Sequence, residues 1–318
     1  MTGAPLRIRY NPDLLEAAIE HVLRRRGAAG DRSADESYRR AADRIYARYE
    51  QSEARRAAFG TLHARLFEEM GCGKPFAEAA GRFTGRITEV LVTRAWDRAE
   101  EGVELGADGR TLGARILPAR FAAPEELRRF LRHEFEHVAD MVDEAFEYGH
   151  GAGEFAGRMT RLQGDRFGLL WDCLVDGRTD RTGEIPLHTP QELAEECARL
   201  YPGLPDEAAT TVVRRLWEGD RPTYALLVRW AADPAALAAW VGWSAGAEHA
   251  AASLGAPCPL CGFPTYAWAP AIDLPVERVI QEDFPAWRSR DGACARCVEA
   301  YAVRREFTAP VGGTNPAW

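Results

Sequence analysis

Residues 124–146 read PEELRRFLRHEFEHVADMVDEAF, and this stretch decides how the rest of the sequence is interpreted. Pro124 suits the first position of a helix, and Glu125 and Glu126 complement the positive end of the helix dipole. Apolar residues then recur at the 3.6-residue period of an amphipathic helix: Leu127, Leu131, Phe135, Val138, Val142 and Phe146. The pattern predicts a helix that begins at Pro124 and ends before Gly149.

Two histidines and a glutamate lie on this predicted helix in the order His-Glu-x-x-His. His133 and His137 are four residues apart, so their rings project from one face and can bind one zinc ion. Glu134 is rotated about 100° from His133, where its carboxylate can act as general base for an attacking water. This arrangement is typical of zinc metalloproteases and predicts a hydrolytic site, with Glu134 catalytic and the two histidines as metal ligands. The alternative is an amphipathic helix whose histidines pair with nearby carboxylates.

Charged residues and a hairpin flank the motif. A line of four side chains beside the histidines is predicted to be solvated: Arg129, Arg132, Glu136 and Asp140. Residues 102–105 and 112–117, on either side of Asp108-Gly109, predict a β-hairpin because Asp-Gly favours a tight turn between apolar runs. The strand that ends at Ile116-Leu117 lies just before the helix, where zinc proteases place the edge at which a substrate pairs, so the similarity to that motif implies such an edge here.

A catalytic zinc ion needs a third protein ligand, and the sequence offers two sources. His150 follows His137 by thirteen residues, in Tyr148-Gly149-His150-Gly151. Asp172 and Asp176 are four residues apart and share one face of another predicted helix. The third ligand is therefore predicted to be either His150 or Asp172. The structural alternatives are a surface loop histidine for His150 and, for the aspartates, a solvated face or a salt bridge with Arg178 or Arg181.

These patterns resemble two groups of zinc peptidases within the zincin superfamily. H-E-x-x-H followed by His150-Gly151 is similar to the SprT-like metalloproteases, and this resemblance implies that His150 binds the metal. Asp172 and Asp176 resemble the E-x-x-x-D pattern of the gluzincins. That resemblance implies that Asp172 binds zinc and that Asp176 orients a histidine ligand.

Four of the seven cysteines form two C-x-x-C pairs. Cys258 and Cys261 precede Gly262, which can adopt the left-handed conformation that such a turn requires, and Cys294 and Cys297 follow after 32 intervening residues. Four thiolates make a closed tetrahedral site, so the pairs predict a structural zinc ion. An iron centre and a redox dithiol are the alternatives.

Composition limits the classes of function. The 318 residues are 46% apolar and 28% charged, with a net charge of −8. An acidic chain is disfavoured as a general DNA-binding protein, because phosphate contacts need a basic surface. The sequence contains no apolar run of the roughly 18 residues that a membrane helix needs. Paired cysteine spacing with an odd total favours metal binding in a reducing compartment, which predicts a cytoplasmic protein.

The sequence as a whole predicts an α+β, mostly helical protein. A zincin-like catalytic domain with a small β-hairpin or sheet is expected at residues 76–185, between helical regions at 1–75 and 186–250, and a zinc ribbon at 251–318. Residues 12–70 are predicted to be helical, with one charged helix over 35–56, and a helix over 154–176 is predicted to be interrupted near Gly164.

The predicted function is zinc-dependent hydrolysis of peptide bonds in a protein or peptide substrate, with one catalytic and one structural zinc ion. The alternative is a non-catalytic zinc-ribbon protein that binds a protein or nucleic-acid partner. A hydrolase acting on small amides is a third possibility, since the same helix would support it.

Overall fold

A mixed four-stranded sheet organises the first part of the chain. The computed structural model describes residues 6–148, 159–202, 204–243 and 255–308, and the chain divides into two compact units, Met1–Val142 and Asp143–Trp318. The first unit holds four strands in the order β1-β2-β4-β3: β1 (Arg7–Tyr10), β2 (Glu89–Arg94), β3 (Gly102–Leu105) and β4 (Thr111–Ile116). Strands β1, β2 and β4 run parallel, and β3 pairs antiparallel with β4. Strand β3 is therefore one edge of the sheet.

The predicted hairpin is confirmed, and one prediction about it is wrong. Asp108 accepts hydrogen bonds at Oδ1 from the backbone N–H groups of Arg110 and Thr111, both at 2.9 Å, and Gly109 adopts a left-handed φ of 64°. Strand β4, which ends at Ile116, pairs with β2 on one side and β3 on the other. It is an interior strand, so the edge available for pairing beside it is β3.

Five α-helices accompany the sheet in the described part of this unit: α1 (Pro12–Ala28), α2 (Ser33–Arg48), α3 (Ser52–Glu69), α4 (Lys74–Gly81) and α5 (Pro124–Met141). The first begins after Asn11, whose side chain accepts a hydrogen bond from the backbone N–H of Asp13 at 2.8 Å. The single helix predicted over residues 35–56 is two helices, because Tyr49 is extended and ends α2. The helical character of residues 12–70 is confirmed.

The core of the first unit lies between the sheet and its helices. Val90 and Val92 of β2 and Leu112 and Ile116 of β4 are buried, at alternating positions of their strands. The apolar stripe of α5 is buried as its period predicts, at Leu127, Leu131, Phe135 and Val138. Helix α5 begins at Pro124 but ends at Met141, before the last two members of the predicted stripe.

The second unit begins with a helical group: α6 (Arg161–Arg181), α7 (Pro190–Leu200), α8 (Asp206–Glu218), α9 (Tyr224–Ala232) and α10 (Pro234–Trp240). Thr160 and Gln163 form a capping box that fixes the start of α6. The interruption predicted near Gly164 is wrong, since α6 runs through that residue. Helices α6 and α8 approach closely at Gly177, where an added Cβ would lie 2.6 Å from the Cα of Trp217.

The C-terminal part of this unit holds the cysteines. Helix α11 (Leu274–Asp283) lies between the two C-x-x-C turns, and α12 (Ala295–Thr308) begins within the second one. Isolated bridges pair Pro257 with Pro264 and Trp268 with Cys294. The α+β, mostly helical class with one small sheet is confirmed. The division into four segments stays a prediction. Along the described residues, no helix combines the length and the apolar character that crossing a membrane requires.

Candidate functional site

The two motif histidines lie in the middle of α5 and face each other. His133 is buried and His137 is half-buried. Their Nε2 atoms are 3.2 Å apart, and the ring planes are inclined at 79°. The separation of four residues places the rings one turn apart on the helix, and the two Nε2 atoms converge on a common point.

This geometry fits two ligands of a single zinc ion. Nitrogen ligands lie about 2.0–2.1 Å from zinc, so two of them at the tetrahedral angle are about 3.3 Å apart. The observed separation of 3.2 Å matches this value without a change of rotamer.

Glu134 lies next to the histidines and is held by the sheet. Its Oε2 atom accepts a hydrogen bond of 3.0 Å from the backbone N–H of Val103, on β3. Gly102 leaves room for this contact, because a Cβ added there would lie 3.6 Å from the same oxygen. The bond fixes one carboxylate oxygen of Glu134 and the direction in which the other one points.

The N–H group of Val103 points away from the neighbouring strand. Val103 is paired with Ala114, and Gly106 of the same ladder donates to the carbonyl of Thr111 at 2.8 Å. Along an antiparallel ladder, hydrogen-bonded pairs of residues alternate with pairs that are not hydrogen-bonded. Residues 102, 104 and 106 therefore bond to β4, whereas Val103 and Leu105 turn their backbone groups outward. Glu134 therefore lies against the free edge of the sheet.

The charged residues beside the motif are less solvated than predicted. Glu136 forms an ion pair with Arg82 at 2.5 Å, and the same guanidinium donates to the carbonyl of Phe135 at 2.8 Å. Asp140 is buried, and Arg129 and Arg132 are partly buried. The prediction that these four side chains are solvated is therefore wrong. The charge of Glu136 is compensated by Arg82, a residue far away in the sequence.

The predicted sources of a third ligand lie in the second unit. His150 falls in residues 149–158, outside the described residues. Asp172 is partly buried on α6, and Asp176 one turn later is fully buried. The two aspartates share a helix, as their spacing predicts.

Asp176 orients a histidine that sequence reasoning did not identify. Its carboxylate accepts hydrogen bonds from the backbone N–H groups of Leu187 and His188, at 2.8 and 3.0 Å, and lies 2.8 Å from Nδ1 of His188. Because a carboxylate is an acceptor, Nδ1 of His188 carries the proton in this contact. The resemblance to the gluzincin pattern implied that Asp176 orients a histidine, but no signal in the sequence indicated which one.

The four paired cysteines form a compact cluster in the second unit. Their sulfur atoms all lie within 4.8 Å of one another, with Cys258 and Cys297 at 4.0 Å and Cys261 and Cys294 at 3.9 Å. Zinc–sulfur distances of about 2.3 Å place tetrahedral ligands about 3.8 Å apart. The cluster therefore has the dimensions of a closed four-thiolate site.

Backbone and apolar contacts hold the two turns that carry the cysteines. The backbone N–H of Cys294 points at the sulfur of Cys258 at 3.3 Å, and Gly262 has a left-handed φ of 74°. Trp287 is buried in the same apolar cluster. Burial raises the pKa of the Cys258 thiol, and the Cys294 N–H opposes this rise. A cation that converts these thiols to thiolates would therefore release protons.

Comparison of the chain with protein-family models, with curated proteins and with solved structures finds no match.

Proposed function

We propose that the chain is a zinc-dependent metallopeptidase of the zincin type. The observation that carries the proposal is the separation of 3.2 Å between the Nε2 atoms of His133 and His137, with the carboxylate of Glu134 beside them. Two converging imidazoles and an adjacent carboxylate are the donors that metal-assisted hydrolysis requires.

Each residue of α5 has a separate role in this proposal. His133 and His137 hold the ion through Nε2. Glu134 acts as general base, with its carboxylate oriented by the N–H of Val103 at Oε2. A bound zinc ion supplies Lewis-acid chemistry, by polarising a carbonyl and lowering the pKa of water. Glu134 then returns the proton to the leaving amine.

The third protein ligand is proposed to be His150 or Asp172, as the two sequence resemblances imply. In the second case Asp176 takes a positioning role toward a histidine. The structural zinc ion is proposed to bind at Cys258, Cys261, Cys294 and Cys297, whose sulfur separations match a tetrahedral site. A C-terminal zinc ribbon is the corresponding assignment for this module.

The proposal is tested with Glu134→Gln, which removes the base and keeps the size of the side chain. Cleavage of a fluorescently labelled unfolded protein should fall by at least about 100-fold, while the zinc content should stay at the wild-type value. The matched control is Glu126→Gln, an exposed residue in the first turn of the same helix, which should keep full activity. Unchanged proteolysis in Glu134→Gln would show that the catalytic assignment is wrong.

A binding module is the second candidate, and an exposed aromatic pair beside the cysteine turn favours it. Phe263 and Tyr266 are 67% and 76% exposed, and exposed aromatic residues are common at protein interfaces. Charges of both signs are mixed along residues 255–308, which favours a protein partner over nucleic acid. In this case Phe263→Ser/Tyr266→Ser abolishes partner binding, and Glu134→Gln has no effect on it.

A further inference from the structure

A cavity of about 300 Å³ opens in the first unit, away from the histidines of α5. It lies where the ends of α1 and α3 meet the starts of α4 and α5. Apolar side chains form most of its wall: Val22, Met70, Pro75, Phe121 and Leu127. We call it the α1–α5 cavity. Its volume equals about ten water molecules at roughly 30 Å³ each, which is room for a ligand of about ten non-hydrogen atoms.

Positive charge surrounds this cavity in a chain whose net charge is −8. Arg25 and Arg26, both exposed, line it at the C-terminal end of α1. Lys74, the only lysine of the chain, packs beside it, because a Cβ added to the lining residue Gly71 would lie 3.2 Å from Lys74 Cε. Within the part of the chain that the structure describes, none of these three cations has an ion-pair partner within 4.0 Å. Arg26 also acts on the Asp31 carboxylate at longer range, but among the described residues no carboxylate pairs directly with these cations, so a ligand carboxylate can do so.

The start of α5 also borders the cavity, because Pro124 lines it and the preceding Ala123 supplies no side-chain cap. Glu125 and Glu126 in the first turn offset the partial positive charge of this helix end, so the positive charge at the cavity comes from Arg25, Arg26 and Lys74.

The cavity contains no negative charge of its own. Cys72 is the one ionisable lining group that could carry one, and it is buried. Burial raises the pKa of this thiol to about 11, so it is neutral at physiological pH, and Arg26 opposes the rise. Cys72 therefore acts as part of the apolar wall.

We propose that the α1–α5 cavity binds a small amphipathic carboxylate. The alkyl chain lies against the apolar wall, and the carboxylate is held at the mouth by Arg25 and Arg26. Apolar walls contribute to affinity in proportion to the area that they bury, and guanidinium groups are the preferred partners of carboxylates. This ligand site does not depend on the hydrolytic activity proposed above.

Titration of the full-length protein with sodium octanoate in a calorimeter tests the proposal, because octanoate has ten non-hydrogen atoms. Each buried CH₂ group changes the dissociation constant about fourfold, so octanoate, which has four more of them, should bind roughly 250-fold more tightly than butyrate. Octanol of the same chain length should bind at least about tenfold more weakly, since it lacks the charge that pairs with the arginines.

The matched protein variants change the charge at the mouth and nothing in the wall. Arg25→Glu/Arg26→Glu should weaken octanoate binding at least about tenfold. Arg24→Glu is the control, because Arg24 is exposed on the same helix and does not line the cavity; it should bind as the wild type does. Circular dichroism establishes that both variants keep their helices.

A second measurement locates the ligand. Octanoate should slow the alkylation of Cys72 by N-ethylmaleimide at about pH 9, where a fraction of this thiol is ionised, as followed by mass spectrometry of the peptide that contains it, and butyrate at the same concentration should not. The absence of octanoate binding overturns the proposal. Binding that is equal in Arg24→Glu and Arg25→Glu/Arg26→Glu also overturns it, because the ligand would then lie elsewhere.

Discussion

His63 is a buried histidine whose protonation the fold opposes. It lies on α3, and its Nε2 atom is 3.2 Å from the hydroxyl of Tyr38 on α2, with the two rings stacked. Burial lowers the pKa of His63 below its ordinary value of 6.5, and the charges of Glu16 and Glu20 oppose this effect. The folded state therefore binds fewer protons than the unfolded state once the pH falls to about 6.5.

The sign of the resulting pH dependence follows from this difference. The contribution of the neutral ring is fully present above pH 6.5 and is lost as the pH falls from there toward the lowered pKa of the folded state. Urea unfolding at pH 7.5 and pH 5.0 should show a larger loss of unfolding free energy in the wild type than in His63→Gln. Equal losses in the two proteins would contradict this account.

The hydrogen bond from the backbone N–H of Val103 orients the carboxylate of Glu134. Val103→Pro removes the donor, and proline is tolerated at an edge position whose N–H points away from the sheet. Without the 3.0 Å bond Oε2 loses the donor that orients it, so kcat for peptide cleavage should fall by about 10- to 100-fold. Zinc content should remain unchanged, since both histidines are intact.

Leu105→Pro is the matched control for this variant. Leu105 occupies the next outward-facing position of β3. The Leu105→Pro substitution removes an equivalent N–H group from the same strand. Among the described residues, the N–H of Leu105 makes no hydrogen bond to Glu134. A fall in kcat of the same size in both variants would mean that proline disturbs the strand and that Val103 has no special role.

At the scale of elements, the contact between α6 and α8 depends on one glycine. A Cβ at position 177 would lie 2.6 Å from both Cα and the carbonyl oxygen of Trp217. These are backbone atoms, so the two helices must separate to admit a methyl group. Gly177→Ala should lower the free energy of unfolding by about 1–3 kcal/mol, measured by urea denaturation.

Gly168→Ala separates this steric effect from helix propensity. Gly168 lies on the same helix, and a Cβ added there meets nothing within 4 Å. Alanine should therefore stabilise the protein by roughly 0.5–1 kcal/mol at this position. The two substitutions should have opposite signs, and destabilisation by both would point to a general disturbance of α6.

The elements that the sequence predicts well are those with local signals. Helix α5 was recognisable because Pro124 and a 3.6-residue apolar period are written into consecutive residues. Strand β1 was not predicted, since Arg7–Tyr10 is short and pairs with β2 about eighty residues later. The break between α2 and α3 was also missed, because the residues at 49–51 include neither proline nor glycine.

The same distinction applies to the candidate site. The convergence of His133 and His137 follows from helical spacing, and so could be predicted. The bond from Val103 to Glu134 is made by a backbone amide, which carries no residue-specific signal. The ion pair of Glu136 with Arg82 and the bonds of Asp176 to His188 depend on tertiary folding, so neither partner could be named beforehand.

At the scale of the whole molecule, the two proposed metal sites make separate predictions about zinc content. The wild-type chain should bind about two zinc ions, one at the histidines of α5 and one at the cysteine cluster. His137→Ala and Cys297→Ser should each retain about one. The double variant should retain none. Metal is measured by inductively coupled plasma mass spectrometry on purified protein after removal of loosely bound ions.

The two single variants should also differ in stability, because the two sites have different tasks. The sulfur atoms of the cysteine cluster lie in the apolar core that contains Trp287, so an ion bound there holds a folded module together. Cys297→Ser should therefore lose the helical signal and protease resistance of residues 255–308, whereas His137→Ala should keep both. Zinc at 100 times its dissociation constant would stabilise the folded state of this module by about 2.7 kcal/mol, and Cys297→Ser should lose that contribution. If His137→Ala still bound two ions, the histidines of α5 would not form a metal site, and the peptidase proposal would fail while the cysteine site stood.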